Sequence, residues 1–481
     1  WPFKCLHFDP LDLSSRPNNQ HTPMAAPLTR KEVEEIEPKD VHRVLRRVML
    51  VDGFDLVFDK EGSKGPYIRD AITGIEYLDF FSFFASWPIA HNHPKMMDEK
   101  FLESLGRVAL QNPSNSDIYT VEMAQFVATF ERVAMPAEFK HLFLVSGGSL
   151  AVENALKTAF DWKVRLNLSK GLGEIGSKII HFKDAFHGRS GYSLSLTNTD
   201  PRKYKYFPLF SWPRVENPKA LFPLEGANLW TTIEAEKRAC AAIKEVLDRE
   251  ADHIAAIILE PIQGEGGDHH FRPEFWKQLR KFADDYNVLL IADEVQAGMG
   301  LTGKMWSYQH MGVTPDIVCF GKKAQVCGIM ATTRIDQVHD NVFHIPSRIN
   351  STWGGSLVDM TRSRRFLEII EEENLVQNAA TVGAYLMEKL HDLSKKFPSC
   401  LANVRGRGLM CAFDTQDPDR CSKLRTLAYE RNLLIISCGA RSIRLRPLLT
   451  TTKEDVDKMA SILTECFTVM SQDDWKTDYV F

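Results

Sequence analysis

Two stretches decide the reading: Leu289-Leu-Ile-Ala-Asp-Glu-Val-Gln296 and, further along, Asp316-Ile-Val-Cys-Phe320 running into Gly321-Lys-Lys323. Each is a short, unbroken apolar run that stops on charged residues. A strand with one wet face alternates apolar and polar residues, whereas an unbroken run suits a strand covered on both faces. The chemistry of such sheets sits just beyond the carboxyl ends of the strands. An acid, Asp293, and an amine, Lys322, therefore arrive at strand ends where neighbouring side chains can meet.

Working outward, the same rhythm recurs. His141-Leu-Phe-Leu-Val145 leads through Ser146-Gly-Gly-Ser149 into an amphipathic stretch, Ala151 to Phe160, with Val152, Ala155, Leu156 and Ala159 on one helical face. Lys178-Ile-Ile-His-Phe182 and Ile254-Ala-Ala-Ile-Ile-Leu259 are further strand candidates. Helical spacing runs from Thr232 to Glu250, and Pro273 suits the first turn of a helix carrying Phe275, Leu279 and Phe282. Strands alternating with helices give an α/β fold with a largely parallel sheet. Beyond residue 355 the pattern changes to longer helices and a few strands (Leu409–Phe413, Leu433–Ile436, Ile443–Leu445), which reads as a smaller α+β domain. The expected division is a flexible tail over 1–40, an N-terminal part of the small domain over 41–75, a large domain over 76–355, and a C-terminal small domain over 356–481. Trp1 reads as the start of an incomplete or processed chain, with Met24 as an alternative start, and the acid-rich Lys31–Glu37 fits a transit peptide badly.

Composition narrows the class. The 481 residues carry 59 Lys plus Arg against 63 Asp plus Glu, a net charge of −4, so no global basic field exists to hold a nucleic-acid backbone. No apolar run approaches the roughly 20 residues of a membrane span. Nine scattered cysteines without a CxxC pair read as reduced thiols of a cytoplasmic protein, with organellar targeting left open. His91-Asn-His93 and His269-His270 lack a third ligand and read as loop histidines, so no metal is expected. Phe80-Phe-Ser-Phe-Phe84 reads as core or interface packing.

A buried carboxylate is costly unless something cationic meets it. One partner for Asp293 is the protonated ring nitrogen of pyridoxal phosphate, with a lysine forming the Schiff base. Two other readings compete: a Walker B strand of an ATPase, and a purely structural Asp–Lys pair. The ATPase needs a P-loop, and Gly171-Leu-Gly-Glu-Ile-Gly-Ser-Lys178 inverts the final Lys-Ser order and precedes a strand. Ser146-Gly-Gly-Ser149 runs from a strand into a helix, where backbone N–H groups can hold a phosphate. Phe186-His-Gly-Arg189 offers an aromatic to cover a ring and an arginine to clamp a carboxylate. Arg444, in a strand pattern, needs either a carboxylate ligand or an interdomain ion pair.

Assembled, these residues resemble the class III (ω-amino) aminotransferases of PLP fold type I, over roughly residues 40–465. The strings that carry the likeness are Asn112-Pro-Ser-Asn-Ser-Asp117, Ala151-Val-Glu-Asn-Ala-Leu-Lys157, Phe186-His-Gly-Arg-Ser-Gly-Tyr192, Glu260-Pro-Ile-Gln-Gly-Glu-Gly-Gly-Asp268, Gly321-Lys-Lys-Ala-Gln-Val-Cys-Gly328 and Asn350-Ser-Thr-Trp-Gly-Gly355. The resemblance implies a large domain with a mostly parallel seven-stranded sheet, a smaller α+β domain, and pyridoxal 5′-phosphate as cofactor. It makes Lys322 the Schiff-base lysine, with Lys323 as its rival, and sets Asp293 at the pyridinium nitrogen. Gln296 falls by the phenolic oxygen, Phe186 on the ring, and Gly148 and Ser149 at the phosphate. Thr352 reaches the cofactor of a second subunit, which implies a homodimer with shared active sites. Arg189 takes the distant carboxylate of either substrate, Arg444 the near carboxylate of 2-oxoglutarate, and Glu265 neutralises Arg444 while the amino donor is bound. Within the family, the strings point to transfer of the ε-amino group of L-lysine to 2-oxoglutarate, giving 2-aminoadipate 6-semialdehyde and L-glutamate. The alternative is a 4-aminobutyrate or ornithine aminotransferase. Ala297, Ala324 and Ser149 depart from residues common in relatives.

Overall fold

The computed structural model describes residues 26–472. Of the expected tail, residues 1–25 lie outside the described residues. Within the remainder, Arg30–Glu34 is a short helix opened by Thr29, whose hydroxyl accepts from the Glu32 amide at 3.3 Å while Glu32 accepts from the Thr29 amide at 2.7 Å.

The described residues form two compact units, 26–62 with Arg69–Ile75, and Ser63–Ile68 with 76–472. In the first, the Asp70 carboxylate organises a turn by accepting from the amides of Val57, Ile72 and Thr73.

The second unit is built on β1 (Phe139–Val145), α1 (Gly148–Ser169), β2 (Lys178–Phe182), β3 (Arg214–Val215), α2 (Gly226–Glu250), β4 (Ile254–Leu259), α3 (Pro273–Asp285), β5 (Leu289–Asp293), β6 (Ile317–Phe320) and β7 (Cys327–Thr332). These seven strands form one sheet in the order β1-β7-β6-β5-β4-β2-β3. Strands β6, β5, β4, β2 and β3 run parallel, and β7 is antiparallel to both β6 and β1. The mostly parallel, seven-stranded α/β sheet is the expected one.

The unbroken apolar runs have a direct physical basis. Leu290 and Ala292 of β5 enter one core cluster, together with Ile257 and Leu259 of β4. Leu289 and Ile291 enter the cluster on the opposite face, with Ala256 and Ile258. Every residue of β4 and β5 is buried. Each large aliphatic side chain so buried stabilises the fold by about 2 kcal/mol, which is why no polar residue interrupts the run. Helix α1 covers one face through Ala151, Val152, Ala155, Leu156, Ala159 and Trp162.

The lysine-bearing connection is short. After β6 comes one tight turn, Lys322–Ala324, and Cys327 is already the first residue of β7, paired with Val145. A second, antiparallel sheet contains β8 (Ala402–Arg407), β9 (Met410–Asp414), β10 (Ile436–Cys438) and β11 (Ser442–Leu445), in the order β8-β9-β11-β10. Leu433–Leu434 also runs parallel to Glu76–Asp79, so early and late chain segments share a sheet. Among the described residues, no helix is long and apolar enough to cross a membrane.

Candidate active site

Asp293 closes β5 and His187 follows β2. His187 Nδ1 and Asp293 Oδ2 lie 2.7 Å apart, and Oδ1 of the same carboxylate accepts from the Val295 amide at 3.1 Å. Burial pushes the His187 imidazolium down, but the hydrogen bond and charge of Asp293, with Glu260 beyond, outweigh it and raise its pKa above 6.5. Its Nε2 is buried without a hydrogen-bond partner. Glu260, just past β4, accepts from the amides of Phe186 at 3.0 Å and Gly264 at 3.1 Å. Burial lifts its carboxyl to about 8, against the pull of His187. Asp293 thus has a hydrogen-bond partner in the protein itself, one whose protonated form it favours, which the sequence reading missed although His187 stands inside one of the quoted strings.

Lys322 and Lys323 differ in what their amines touch. Among the described residues, Lys322 Nζ makes no hydrogen bond or ion pair, and its backbone has φ +49°. Burial, then the charges of Arg444 and Arg446, push its ammonium down from the ordinary 10.5 to about 8. Lys323 Nζ points instead to the Gln296 carbonyl, at 3.3 Å. Burial, then the charges of Lys322 and Arg446, push the Lys323 ammonium down as well, so what sets Lys322 apart is its amine, which has no partner among the described residues. This geometry favours Lys322 over its rival.

Between β1 and α1, Gly147 has φ +108°, a conformation that suits glycine, and no side chain caps the helix. The first backbone bond of α1 is Ala151 N to Gly147 O at 3.0 Å, so the amides of Gly148, Ser149 and Leu150 have no backbone acceptor among the described residues. Donors of this kind at a helix N-terminus attract an anion. The Ser149 hydroxyl is committed elsewhere: it bonds the hydroxyls of Ser190 at 2.6 Å and Ser193 at 2.7 Å and accepts from the Arg189 amide. Only the Ser149 amide remains for an anion.

On β11, the buried Arg444 donates from Nη1 to Gln296 Oε1 at 3.0 Å, while its Nε finds no partner. Among the described residues it makes no ion pair, so the interdomain salt bridge offered as an alternative is not formed there. Arg446, two residues on, is neutralised by Asp268. The Arg444 guanidinium also lies 5.9 Å from the centre of the Phe84 ring. Residues Ser82 to Ala85 all have positive φ, from +41° to +63°, a left-handed turn that costs each non-glycine residue of order 1 kcal/mol. The aromatic cluster is therefore not core throughout: Phe80 is fully buried, but Phe84 is 53% exposed and faces an arginine.

Glu265, expected to answer Arg444 while the amino donor is bound, is ion-paired here to Lys203 and accepts from the Thr199 hydroxyl at 3.2 Å. Lys203 Nζ in turn lies 5.5 Å from the centre of the Phe186 ring. Nothing in Asp200-Pro-Arg-Lys203 marks this lysine in the sequence, since a charged turn is ordinarily solvated. Arg189 is exposed, with no side-chain partner among the described residues. Thr352 is exposed too, and its carbonyl accepts from the Ser114 hydroxyl at 2.6 Å. His269 and His270 are not loop residues: they form a short buried strand, where His269 bonds Gln263 at 3.2 Å and Asn217 at 2.9 Å.

Residues 52–467 match the family model for class-III aminotransferases. The chain is 49% identical over 423 residues to the L-lysine-epsilon aminotransferase of Mycobacterium tuberculosis (strain ATCC 25618 / H37Rv), covering 87% of this chain and 93% of that protein. It is 44% identical over 449 residues to the L-lysine-epsilon aminotransferase of Streptomyces clavuligerus, covering 92% and 97%. The solved structure of a lysine aminotransferase from M. tuberculosis in the internal aldimine form superposes with a TM-score of 0.88, at 47% identity, covering 90% of this chain and all of that one.

Proposed function

The chain belongs to the class-III aminotransferases, and from that premise we propose that it transfers the ε-amino group of L-lysine to 2-oxoglutarate. The products are 2-aminoadipate 6-semialdehyde and L-glutamate, formed in a ping-pong sequence with pyridoxal 5′-phosphate. The observation that carries this reading is the pairing of one amine, Lys322, with two arginines, Arg189 and Arg444, none of which has an ion-pair partner among the described residues. An enzyme that takes an ω-amine from one substrate and then accepts a dicarboxylate needs such a set.

The residues present fit the cofactor. The unpaired amides of Gly148 and Ser149 would hold its phosphate, Asp293 its ring nitrogen, and Phe186 its face. Gln296, whose Nε2 has no hydrogen-bond partner among the described residues, would lie by the phenolic oxygen, and Lys322 would hold the aldehyde carbon. When bound, pyridoxal phosphate supplies an aldehyde that captures the amino group and a ring that accepts the electron pair released with the substrate proton.

The protein's own groups do the rest. Lys322 Nζ lifts the proton from Cε of lysine and, in the second half-reaction, returns one to Cα of the forming glutamate. His187 steadies the charge of Asp293 through its 2.7 Å contact. Arg189 clamps the α-carboxylate of lysine and then the distal carboxylate of 2-oxoglutarate, for which a planar fork is suited. Arg444 takes the carboxylate next to the reacting carbon. Glu265 answers the Arg444 charge while lysine, which has no carboxylate there, is bound.

Thr352, exposed in the single chain, would reach the cofactor of a second copy, so the working unit is a homodimer, in the cytoplasm. Residues 76–355 and 356–481, each with its own sheet, would be the large and small domains. A panel of lysine, ornithine and 4-aminobutyrate with 2-oxoglutarate tests the reading, the cyclised lysine product being trapped with 2-aminobenzaldehyde. Lysine is expected to dominate. Comparable rates with 4-aminobutyrate would remove the lysine assignment.

A further inference from the structure

Glu265 sits within electrostatic reach of two cations, Lys203 and Arg444, and bonds only one of them. Its carboxylate is paired with Lys203 and Thr199. Arg444 feels the Glu265 charge but bonds the Gln296 side-chain oxygen Oε1 instead, with Nε unpaired. The Glu265 backbone is anchored, its carbonyl accepting from the Gly439 amide at 2.8 Å. A change of partner is therefore a side-chain movement with the main chain in place. Lys203 is itself only partly exposed, and its Nζ also approaches the Thr199 hydroxyl at 3.3 Å and the Phe186 ring. This places it at the same mouth as the candidate ring-covering aromatic.

We propose that Lys203 is a positioning residue that holds Glu265 away from Arg444, so that Arg444 stands charged and open to the near carboxylate of a dicarboxylate substrate. The inference deepens the lysine–2-oxoglutarate reading and rests on it for the role of Arg444. Three charges, two positive and one negative, leave one cation unmatched. With Lys203 present the unmatched cation is Arg444, and a dicarboxylate can bind it. Without Lys203, Glu265 has Arg444 as its remaining partner, and the acceptor must displace an internal carboxylate. A donor whose reacting end carries no carboxylate loses nothing by that exchange. Lys203 would thus bias the enzyme toward its acceptor without touching the reacting atoms.

The test is calorimetric titration of the holoenzyme with glutarate, which has the two carboxylates of 2-oxoglutarate and undergoes no turnover. Lys203→Met should weaken glutarate about tenfold and raise KM for 2-oxoglutarate by a similar factor, with kcat nearly unchanged and kcat/KM for lysine within about twofold of wild type. Lys203→Arg should restore glutarate binding. The double variant Lys203→Met/Glu265→Gln should restore it as well, because a neutral amide cannot answer the Arg444 charge. A purely structural Lys203–Glu265 pair predicts the opposite, a double variant no better than the single one. Equal glutarate affinity in wild type and Lys203→Met, or no recovery in the double variant, overturns the proposal. Because glutarate binding needs no amino donor, this result stands apart from the donor panel, whose failure would remove the lysine assignment instead.

Discussion

The Lys322 ammonium should destabilise the cofactor-free protein, and replacing it with methionine should stabilise that form. Its pKa falls from 10.5 to about 8 through burial and the nearby charges of Arg444 and Arg446. Below pH 8 both folded and unfolded chains carry the proton, and the folded one bears the cost of a partly buried, unpartnered cation. Between pH 8 and 10.5 the unfolded chain binds more protons than the folded chain, so wild-type stability rises with pH across that window. At 1.36 kcal/mol per pKa unit the ceiling is about 3 kcal/mol, and partial exposure of the side chain reduces the expectation to about 2 kcal/mol.

The measurement is thermal unfolding of cofactor-free Lys322→Met and wild type, at one protein concentration, from pH 7 to pH 10. For a cooperative chain of 481 residues, with an unfolding entropy of about 2.1 cal/mol/K per residue, the gain at pH 7 is about 2 °C in melting temperature. The difference should shrink steadily toward pH 10. A variant less stable than wild type at pH 7, or a difference that does not change with pH, would show that the Lys322 amine is matched in the folded state. That would refute its assignment as the depressed-pKa nucleophile.

Borohydride reduction of the holoenzyme followed by peptide mapping should place the pyridoxyl mass on Lys322, and label on Lys323 would reverse the choice made from their amine contacts. Arg189→Gln should lower kcat/KM for lysine and for 2-oxoglutarate alike, by about 3 kcal/mol or roughly a hundredfold, since one guanidinium serves both substrates. An effect on one substrate alone would contradict that shared role. His187→Asn removes the charge facing Asp293 while an amide can still bond it, and should cost about 2 kcal/mol of stability. With the His187 pKa raised above 6.5, its contribution is fully present below pH 6.5 and is lost as pH rises through the folded value. Chemical denaturation should therefore show the deficit at pH 6 and a smaller one at pH 9.

The layout of the site was legible because it follows from strand ends. Apolar runs buried on both faces fix where β4, β5 and β6 lie, and hence where Glu260, Asp293 and Lys322 emerge. What stayed hidden depends on contacts between residues far apart in the chain. His187 gains its meaning only from Asp293, which arrives on a strand two positions away in the sheet. Lys203 and Glu265 meet between a turn and a loop that share no sequence pattern. Arg444 and Arg446 occupy the same face of one extended segment, and only the position of Asp268 tells which is neutralised. The left-handed turn at Ser82–Ala85 uses residues that ordinarily avoid that conformation, so local propensity pointed to packing alone. Cys327 opens a strand antiparallel to its neighbours, which a βαβ rhythm does not announce.

The source of the transferred nitrogen tests the central claim most directly. Lysine labelled with ¹⁵N at either the ε or the α position is incubated with enzyme and 2-oxoglutarate, and the glutamate is examined by mass spectrometry. Glutamate labelled from ε-¹⁵N-lysine and unlabelled from α-¹⁵N-lysine is the predicted result. Label arriving from the α position, or no labelled glutamate from either, would contradict it.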